Sequence, residues 1–233
     1  LIHNPYLRSQ IFDLILYSFI GHKSEPHLKL VTSSTYSILK SDFVQDNLIM
    51  CLIRVFIDAE RVGTSNQFYE KFNIRNKVLQ TIEHLFKKHE DVFKDKVITY
   101  AEQNSEDTTK MLTLLMNDFN YIIEELISHL SQIKTYQDLK DDETKWNELS
   151  DEEKQREEMK FQENDRMVKT FIQMLNHTLN LLVVLCSCLQ KFFLRLRLAE
   201  RLATSLNYCL DQFTHNSKSI NIKNKETYEF NPI

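Results

Sequence analysis

Apolar residues recur at spacings of three and four along most of the chain, and that rhythm predicts helices. Leu48, Leu52, Val55, Phe56 and Ala59 form one such run, and Ile74, Val78, Leu79 and Ile82 form the next. Between them lies Gly63, one of two glycines in 233 residues. The stretch reads as helix, corner, helix. Gly63 can adopt the left-handed conformation that ends a helix without a Cβ clash. Ser65 or Asn66 can cap the next turn, and Asn73 can cap the helix after it. Phe68, Tyr69 and Phe72 place three rings at the corner, with Asp58, Glu60, Arg61, Glu70, Lys71 and Arg75 around them.

Taken in order, the pattern predicts further helices. Asn4 and Pro5 open the first, whose buried stripe is Leu7, Ile11, Leu14, Ile15 and Phe19. Gly21 to Glu25, followed by Pro26, is a polar loop, and Thr32 to Lys40 can hold a short helix. Asp42 caps a helix reaching Arg61, with Phe43, Leu48, Leu52 and Val55 inward. The helix after Asn73 reaches Lys88, and a shorter one covers His89 to Gln103 with Val92, Phe93, Val97 and Tyr100 on one side. Asn104 to Asp107 is a break. Thr108 to Ile133 carries Leu112, Leu115, Phe119, Ile122, Ile123, Leu126 and Leu130, a stripe wide enough for core on more than one side. Gln137 to Lys145 reads as a charged linker. Ser150 and Glu153 form a capping box for a helix running to Leu189, charged in its first half and apolar in its second. A last helix, Phe192 to Phe213, carries Leu194, Leu198, Leu202, Leu206 and Leu210, and a polar tail follows from Thr214. The recurrence of helix and break about every 35 to 45 residues fits armadillo or HEAT-like units by length.

Composition sharpens the fold class. Two glycines and three prolines leave almost nothing for tight hairpins or phosphate-cradling loops, and neither dinucleotide nor P-loop pattern can be written with Gly21 and Gly63. The net charge of −4 gives no reason to expect a nucleic-acid partner. Cys51, Cys186, Cys188 and Cys209 form no C-x-x-C pair, so no zinc site is expected, and their apolar helical settings point to reduced, buried thiols. The first residues carry no secretory-signal pattern, and Leu1 in place of an initiator methionine points to a piece of a longer protein.

Several stretches invite a sharper reading than packing. Thr170 to Gln190 holds 21 residues without a charge, but Gln173, Asn176, His177, Asn180, Ser187 and Gln190 make it a scaffold helix rather than a membrane span. His177 has no carboxylate or cysteine at ligand spacing in the sequence and reads as a hydrogen-bonded core histidine. Cys186 and Cys188 lie among leucines, not in the electropositive, exposed setting of an acceptor thiol. The charge run from Asp138 to Arg166 reads as a solvated face before it reads as a basic partner's site. At the corner, ion pairs that fix one helix crossing outrank a docking surface, since the rings between the charges look like packing. The residues by themselves give an intracellular all-α scaffold in which no active site is visible.

The corner is also where the chain resembles a known family. Gly63-Thr64-Ser65-Asn66-Gln67-Phe68-Tyr69-Glu70-Lys71-Phe72-Asn73-Ile74-Arg75 resembles a signature in the core of the U-box ubiquitin chain-elongation factors. Asn4-Pro5-Tyr6-Leu7-Arg8, Arg201-Leu202-Ala203 and Leu206-Asn207-Tyr208-Cys209-Leu210 resemble the same family in the same order, with weaker likeness at Asn117-Asp118, Trp146 with Leu149, and Tyr228 to Pro232. The family usually has a glycine-proline-lysine-cysteine stretch after Tyr208, where this chain has Thr214-His215-Asn216-Ser217, and Gln190 to Arg197 lacks an expected proline.

The resemblance implies an elongated rod of armadillo-like repeats over residues 1–213, as one body or as two sub-bundles split near 137–150, with the tail 214–233 leading toward a U-box outside this chain. It implies the scaffold core of a ligase that extends ubiquitin chains on already ubiquitinated substrates for proteasomal degradation, including that of proteins from the endoplasmic reticulum. The implied partners are a ubiquitin-conjugating enzyme docked through the U-box, polyubiquitinated substrates, proteasome shuttle factors and the AAA segregase ATPase (valosin-containing protein), in cytoplasm and nucleus. No catalytic residue, cofactor or metal ligand carries over. Gly63, Gln67, Phe68, Tyr69, Lys71, Phe72, Asn73 and Arg75 are the residues to watch, as structural signature or docking corner. The rival reading is a helical-repeat adaptor or trafficking scaffold with no part in ubiquitin transfer.

Overall fold

The computed structural model describes residues 41–61, 68–195 and 197–215, together with positions 7, 10 and 11, which are helical; Leu7 and Ile11, predicted buried, are exposed. The cap at Asn4-Pro5, most of the first stripe, the Gly21 loop, the short helix at 32–40, the turn at Gly63 to Gln67 and the tail beyond His215 lie outside the described residues. Helix follows helix with no strand among the described residues, so the chain is all-α as the periodicity predicts. The helices are α1 (Asp42–Asp58), continued by a 3-10 turn at Ala59–Arg61, α2 (Phe68–Gln103), α3 (Ser105–Asp141), α4 (Glu143–Glu148), α5 (Asp151–Cys188), α6 (Gln190–Arg195) and α7 (Leu198–His215). They divide into two compact units: residues 1–115 with 177–198, and 116–176 with 199–233. The stretch 137–150 lies inside the second.

In the first unit α1 packs on α2. Ile49 and Ile53 of α1, Ile82 and Val97 of α2, Leu112 of α3 and Leu185 of α5 converge around a small apolar cavity of about 20 Å³. Phe43, predicted inward, is 75% exposed. The buried face of α1 is Ile49, Leu52, Ile53 and Phe56, and at about 100° per residue Phe43 sits roughly 120° from Ile49 around the helix. The cap before α1 is Ser41, with Asp42 already inside the first turn. The predicted break at residues 88–89 is absent, and α2 runs unbroken for 36 residues. Its charged stretch contains neither glycine nor proline, and its apolar face stays in phase through Leu79, Ile82, Phe86, Phe93 and Val97. The predicted break after Gln103 shrinks to one residue. The Asn104 side chain donates to the Tyr100 carbonyl at 3.2 Å, ending α2, while its own carbonyl accepts from the Thr108 amide at 3.1 Å, starting α3.

In the second unit Phe119, Ile122, Ile123, Leu126 and Ile133 of α3 share a core with Val168, Phe171, Ile172 and Leu175 of α5. His129 stacks on Phe171 with centroids 5.6 Å apart and bonds Asn164 at 2.6 Å. The predicted linker at Gln137 to Lys145 is instead the end of α3 and the start of α4, capped by Asp142 accepting from the Lys145 amide at 3.2 Å. The capping box forms as read: the Glu153 carboxylate accepts from the Ser150 amide at 2.8 Å, and the Ser150 hydroxyl accepts from the Glu153 amide at 3.3 Å. The first half of α5 carries ladder pairs such as Lys169 to Asp165 at 2.7 Å. By length and composition alone α5 could cross a membrane, but its Leu181, Leu182 and Leu185 are buried in the protein.

The predicted last helix is two. It breaks at Arg197, whose φ of 54° is the one positive value among described non-glycine residues. Leu194 is 74% exposed, and Leu206 and Leu210 also face solvent. A strict spacing of four drifts by about 40° per step on a helix of 3.6 residues per turn. Leu210 therefore ends roughly 120° from Leu198, while Ser205, seven residues on from Leu198, is buried. Tyr208 of α7 donates to Glu124 of α3 at 3.3 Å.

Candidate docking corner

The corner lies where the end of α1 meets the start of α2. A helix end leaves its last carbonyls without partners and carries partial negative charge. Arg75 answers both. Its side chain is 2% exposed, and its Nε donates to the Phe56 carbonyl in the last turn of α1 at 3.2 Å. Its Nη2 meets Glu60 Oε2 at 2.5 Å, and its guanidinium lies 4.9 Å from the centroid of the Phe56 ring. Lys71 approaches the other oxygen of Glu60 at 3.6 Å and lies 5.2 Å from the Phe72 ring centroid. Burial opposes charge on Glu60, but Arg75 and then Lys71 outweigh it and hold the carboxyl below its ordinary range. Arginine suits this place because one planar group serves a carbonyl, a carboxylate and a ring face at once.

The predicted residues divide accordingly. Arg75, Phe72 and Lys71 come together, with Phe72 buried. Asn73 is exposed and lies inside α2, so it caps nothing: α2 already includes Phe68, five residues earlier. Phe68 and Tyr69 stand in the first turn of α2, while Gly63 and Gln67 lie outside the described residues. Glu60, which joins Arg75 to Lys71, belongs to the same cluster.

A second polar cluster sits deeper in the same unit. Glu83 of α2 is buried, and its two oxygens take His177 Nδ1 at 2.6 Å and Asn180 Nδ2 at 2.9 Å, both from α5. Lys87, one turn along α2, also donates to it. Burial raises the carboxyl's affinity for its proton, but the bonds from His177 and Lys87 outweigh that and hold its pKa at about 2. So His177 has a carboxylate partner after all, 94 residues away in sequence. The available signal was Glu83 itself, a charge set between Ile82 and Leu85 and one turn beyond Leu79 on an apolar face.

The cysteines differ from one another. Cys186, Cys188 and Cys209 are part-buried, whereas Cys51, predicted buried, faces solvent. Burial pushes the Cys186 and Cys209 thiols up, away from the thiolate form that nucleophilic transfer requires. Among the described residues no group of three or more histidine, cysteine or carboxylate side chains could hold a metal ion.

Both clusters join one helix to another through polar side chains. A model of the ubiquitin elongating factor core matches residues 1–233. The bovine ubiquitin conjugation factor E4 A is 28% identical, with 98% of this chain and 22% of the relative covered. The fission-yeast (Schizosaccharomyces pombe) ubiquitin conjugation factor E4 is 26% identical over 99% of this chain and 22% of its own length. The Saccharomyces cerevisiae E4 ubiquitin-protein ligase UFD2 is 23% identical over 100% and 24%. The chain thus spans under a quarter of the length of these curated relatives. With the match running from the first residue to the last, this chain belongs to the ubiquitin elongating factor core family.

Proposed function

We propose that this chain is the scaffold core of a ubiquitin chain-elongation factor, and that its work is to hold partners in place for a transfer performed elsewhere in a longer protein. The observation that carries this reading is the family match across all 233 residues, joined by relatives named as ubiquitin conjugation factors and an E4 ligase. The structure supports it in kind: hydrogen-bonded polar clusters join helix to helix, and the two thiols whose titration is displaced are displaced away from nucleophilicity. A factor of this kind contributes proximity and orientation rather than covalent chemistry. Its substrates are proteins already carrying ubiquitin, bound for the proteasome from the cytoplasm, the nucleus and the endoplasmic reticulum. Its partners are a charged conjugating enzyme docked on a U-box outside this chain, proteasome shuttle factors and the AAA segregase ATPase (valosin-containing protein).

The test is reconstitution with activating enzyme, a competent conjugating enzyme, ubiquitin, ATP and a mono-ubiquitinated substrate. A longer protein that contains this core and a U-box should extend chains. Residues 1–233 alone should add nothing above the conjugating enzyme's background, and the longer protein without them should lose extension while still stimulating discharge of the conjugating enzyme. Replacing all four cysteines by serine should leave chain extension unchanged. A ubiquitin thioester trapped on Cys51, Cys186, Cys188 or Cys209 would overturn the reading. Full extension without residues 1–233 would favour the adaptor alternative.

A further inference from the structure

In the second unit, where α3, α4 and α5 approach, two aromatic rings and a carboxylate gather around one ammonium group, and a third ring backs one of the two. Tyr136 is buried, stacked on Phe161 with centroids 4.6 Å apart and met edge-on by Trp146 at 6.1 Å. Lys140 Nζ lies 5.3 Å from the Tyr136 centroid and 5.7 Å from that of Trp146, within cation–π range of both. It donates to the Tyr136 hydroxyl at 2.9 Å and reaches Glu158 at 3.4 Å. The Tyr136 hydroxyl in turn donates to Glu158, which fixes the carboxylate in place.

This is a cage for a cation, and its occupant is only half-committed. The Lys140 side chain is 51% exposed, so its ammonium can swing into water without leaving a buried charge behind. The surroundings favour cations as well. Residues 138–158 hold ten carboxylates against four lysine and arginine side chains, a local field that draws basic groups in. The internal contacts of Lys140 name the chemistry. Two ring faces would suit any alkylammonium, but the hydroxyl and the carboxylate both accept N–H bonds, which a quaternary ammonium cannot donate.

We propose that Tyr136, Trp146 and Glu158 form a receptor for a primary ammonium group, the side chain of an exposed lysine in a basic segment of a protein partner, and that Lys140 fills it until that partner arrives. The bound lysine takes over the ring faces and both acceptors, and the released Lys140 is left to solvent. Electrostatic attraction to the acidic stretch speeds the encounter, and the cage supplies the geometric selection. The proposal stands independently of the role in ubiquitin chain elongation.

The test uses the 233-residue chain and an acetylated, amidated peptide of alternating glycine and lysine, titrated by calorimetry, with a trimethyl-lysine version as comparison. Trp146 is the single tryptophan, so its fluorescence reports the cage directly. Lys140→Ala removes the internal competitor and should tighten the lysine peptide about fivefold, the scale of an exposed cation–π contact, with a shift in Trp146 emission on binding. In that background Trp146→Ala and Glu158→Gln should each weaken binding at least fivefold, while Trp146→Phe, which keeps a ring, retains most of it. The trimethyl-lysine peptide should bind more weakly than the lysine peptide. If Lys140→Ala, shown to be fully helical, binds no tighter than the parent, then Lys140 is a structural staple and the proposal fails. Affinity unchanged by Trp146→Ala would assign the binding to the acidic stretch alone, and tighter binding of the trimethylated peptide would refute the ligand class.

Discussion

Replacing Glu83 by glutamine keeps the volume and removes the charge on which His177, Asn180 and Lys87 converge. The carboxyl is carried from its ordinary 4.5 down to about 2, which corresponds to roughly 3 kcal/mol of stabilisation at full strength. Lys87, one of the groups responsible, is mostly exposed and screened, so about 2 kcal/mol is the expected loss. The sign follows from the direction of the shift. A depressed carboxyl stabilises the fold above its unfolded pKa, and that contribution drains away as pH falls from about 4.5 toward 2. Urea unfolding followed by far-ultraviolet circular dichroism at pH 5 and pH 3 reads it directly, since the first lies above the window in which the contribution drains away and the second lies inside it. Glu83→Gln should be less stable than the parent by about 2 kcal/mol at pH 5 and by less than half of that at pH 3. A gap that is the same at both values, or a variant as stable as the parent at pH 5, would refute the assignment of Glu83 as the charged centre of this cluster.

Three further outcomes follow from other parts of the fold. Arg75→Ala should cost about 3 kcal/mol by the same unfolding assay, because it strips a helix end and leaves a cavity, and Arg75→Lys should cost less than Arg75→Ala but more than Glu60→Gln, since Glu60 is half-exposed; equal stability for all three would remove the corner's role. Arg197→Gly should raise stability by about 0.5 to 1 kcal/mol by relieving a left-handed backbone, while Arg197→Val should lower it by more than 1 kcal/mol; the opposite order of melting temperatures would contradict the observed φ. Maleimide at pH 7, followed by peptide mass spectrometry, should modify exposed Cys51 before Cys186 and Cys209, whose thiols burial holds protonated; labelling of Cys186 first would contradict that order.

Fold class was legible because helix formation here needs only local information. The capping box at Ser150 and Glu153, the wide stripe of α3 and the near-absence of glycine all act within a few residues, and each does what the spacing predicts. Phe43, predicted inward, is exposed, and so are Leu206 and Leu210 of the predicted leucine run, because burial depends on phase around the helix and not on apolar character alone. The predicted division at residues 88–89 is absent because nothing there ends a helix: the stretch is charged but has neither glycine nor proline. Conversely, the break at Arg197 carries no glycine to mark it. Partnerships across the sequence were the least legible: nothing local joins Glu83 to His177 or Tyr136 to Glu158, because tertiary packing brings those pairs together.

The cost of burying polar groups explains why those hidden partnerships sit where they do. Apolar side chains alone would hold α1 on α2 and α2 on α5, but a ridge of leucines can slide by one turn and still be buried. Arg75 cannot slide, because one turn away it would lose the Phe56 carbonyl and Glu60 together and leave a charge stranded in the core. Glu83 fixes α5 in the same way through two different residues one turn apart, His177 and Asn180, so a shift along the axis breaks at least one bond. We argue that the Arg75 cluster acts as a register more than as a source of net stability, a use of buried polar groups with precedent in coiled coils. Replacing Arg75 and Glu60 together by methionine and leucine should then leave thermal stability near that of the parent while broadening the amide resonances around the corner. A double variant as sharply resolved as the parent would show that apolar packing sets the register by itself.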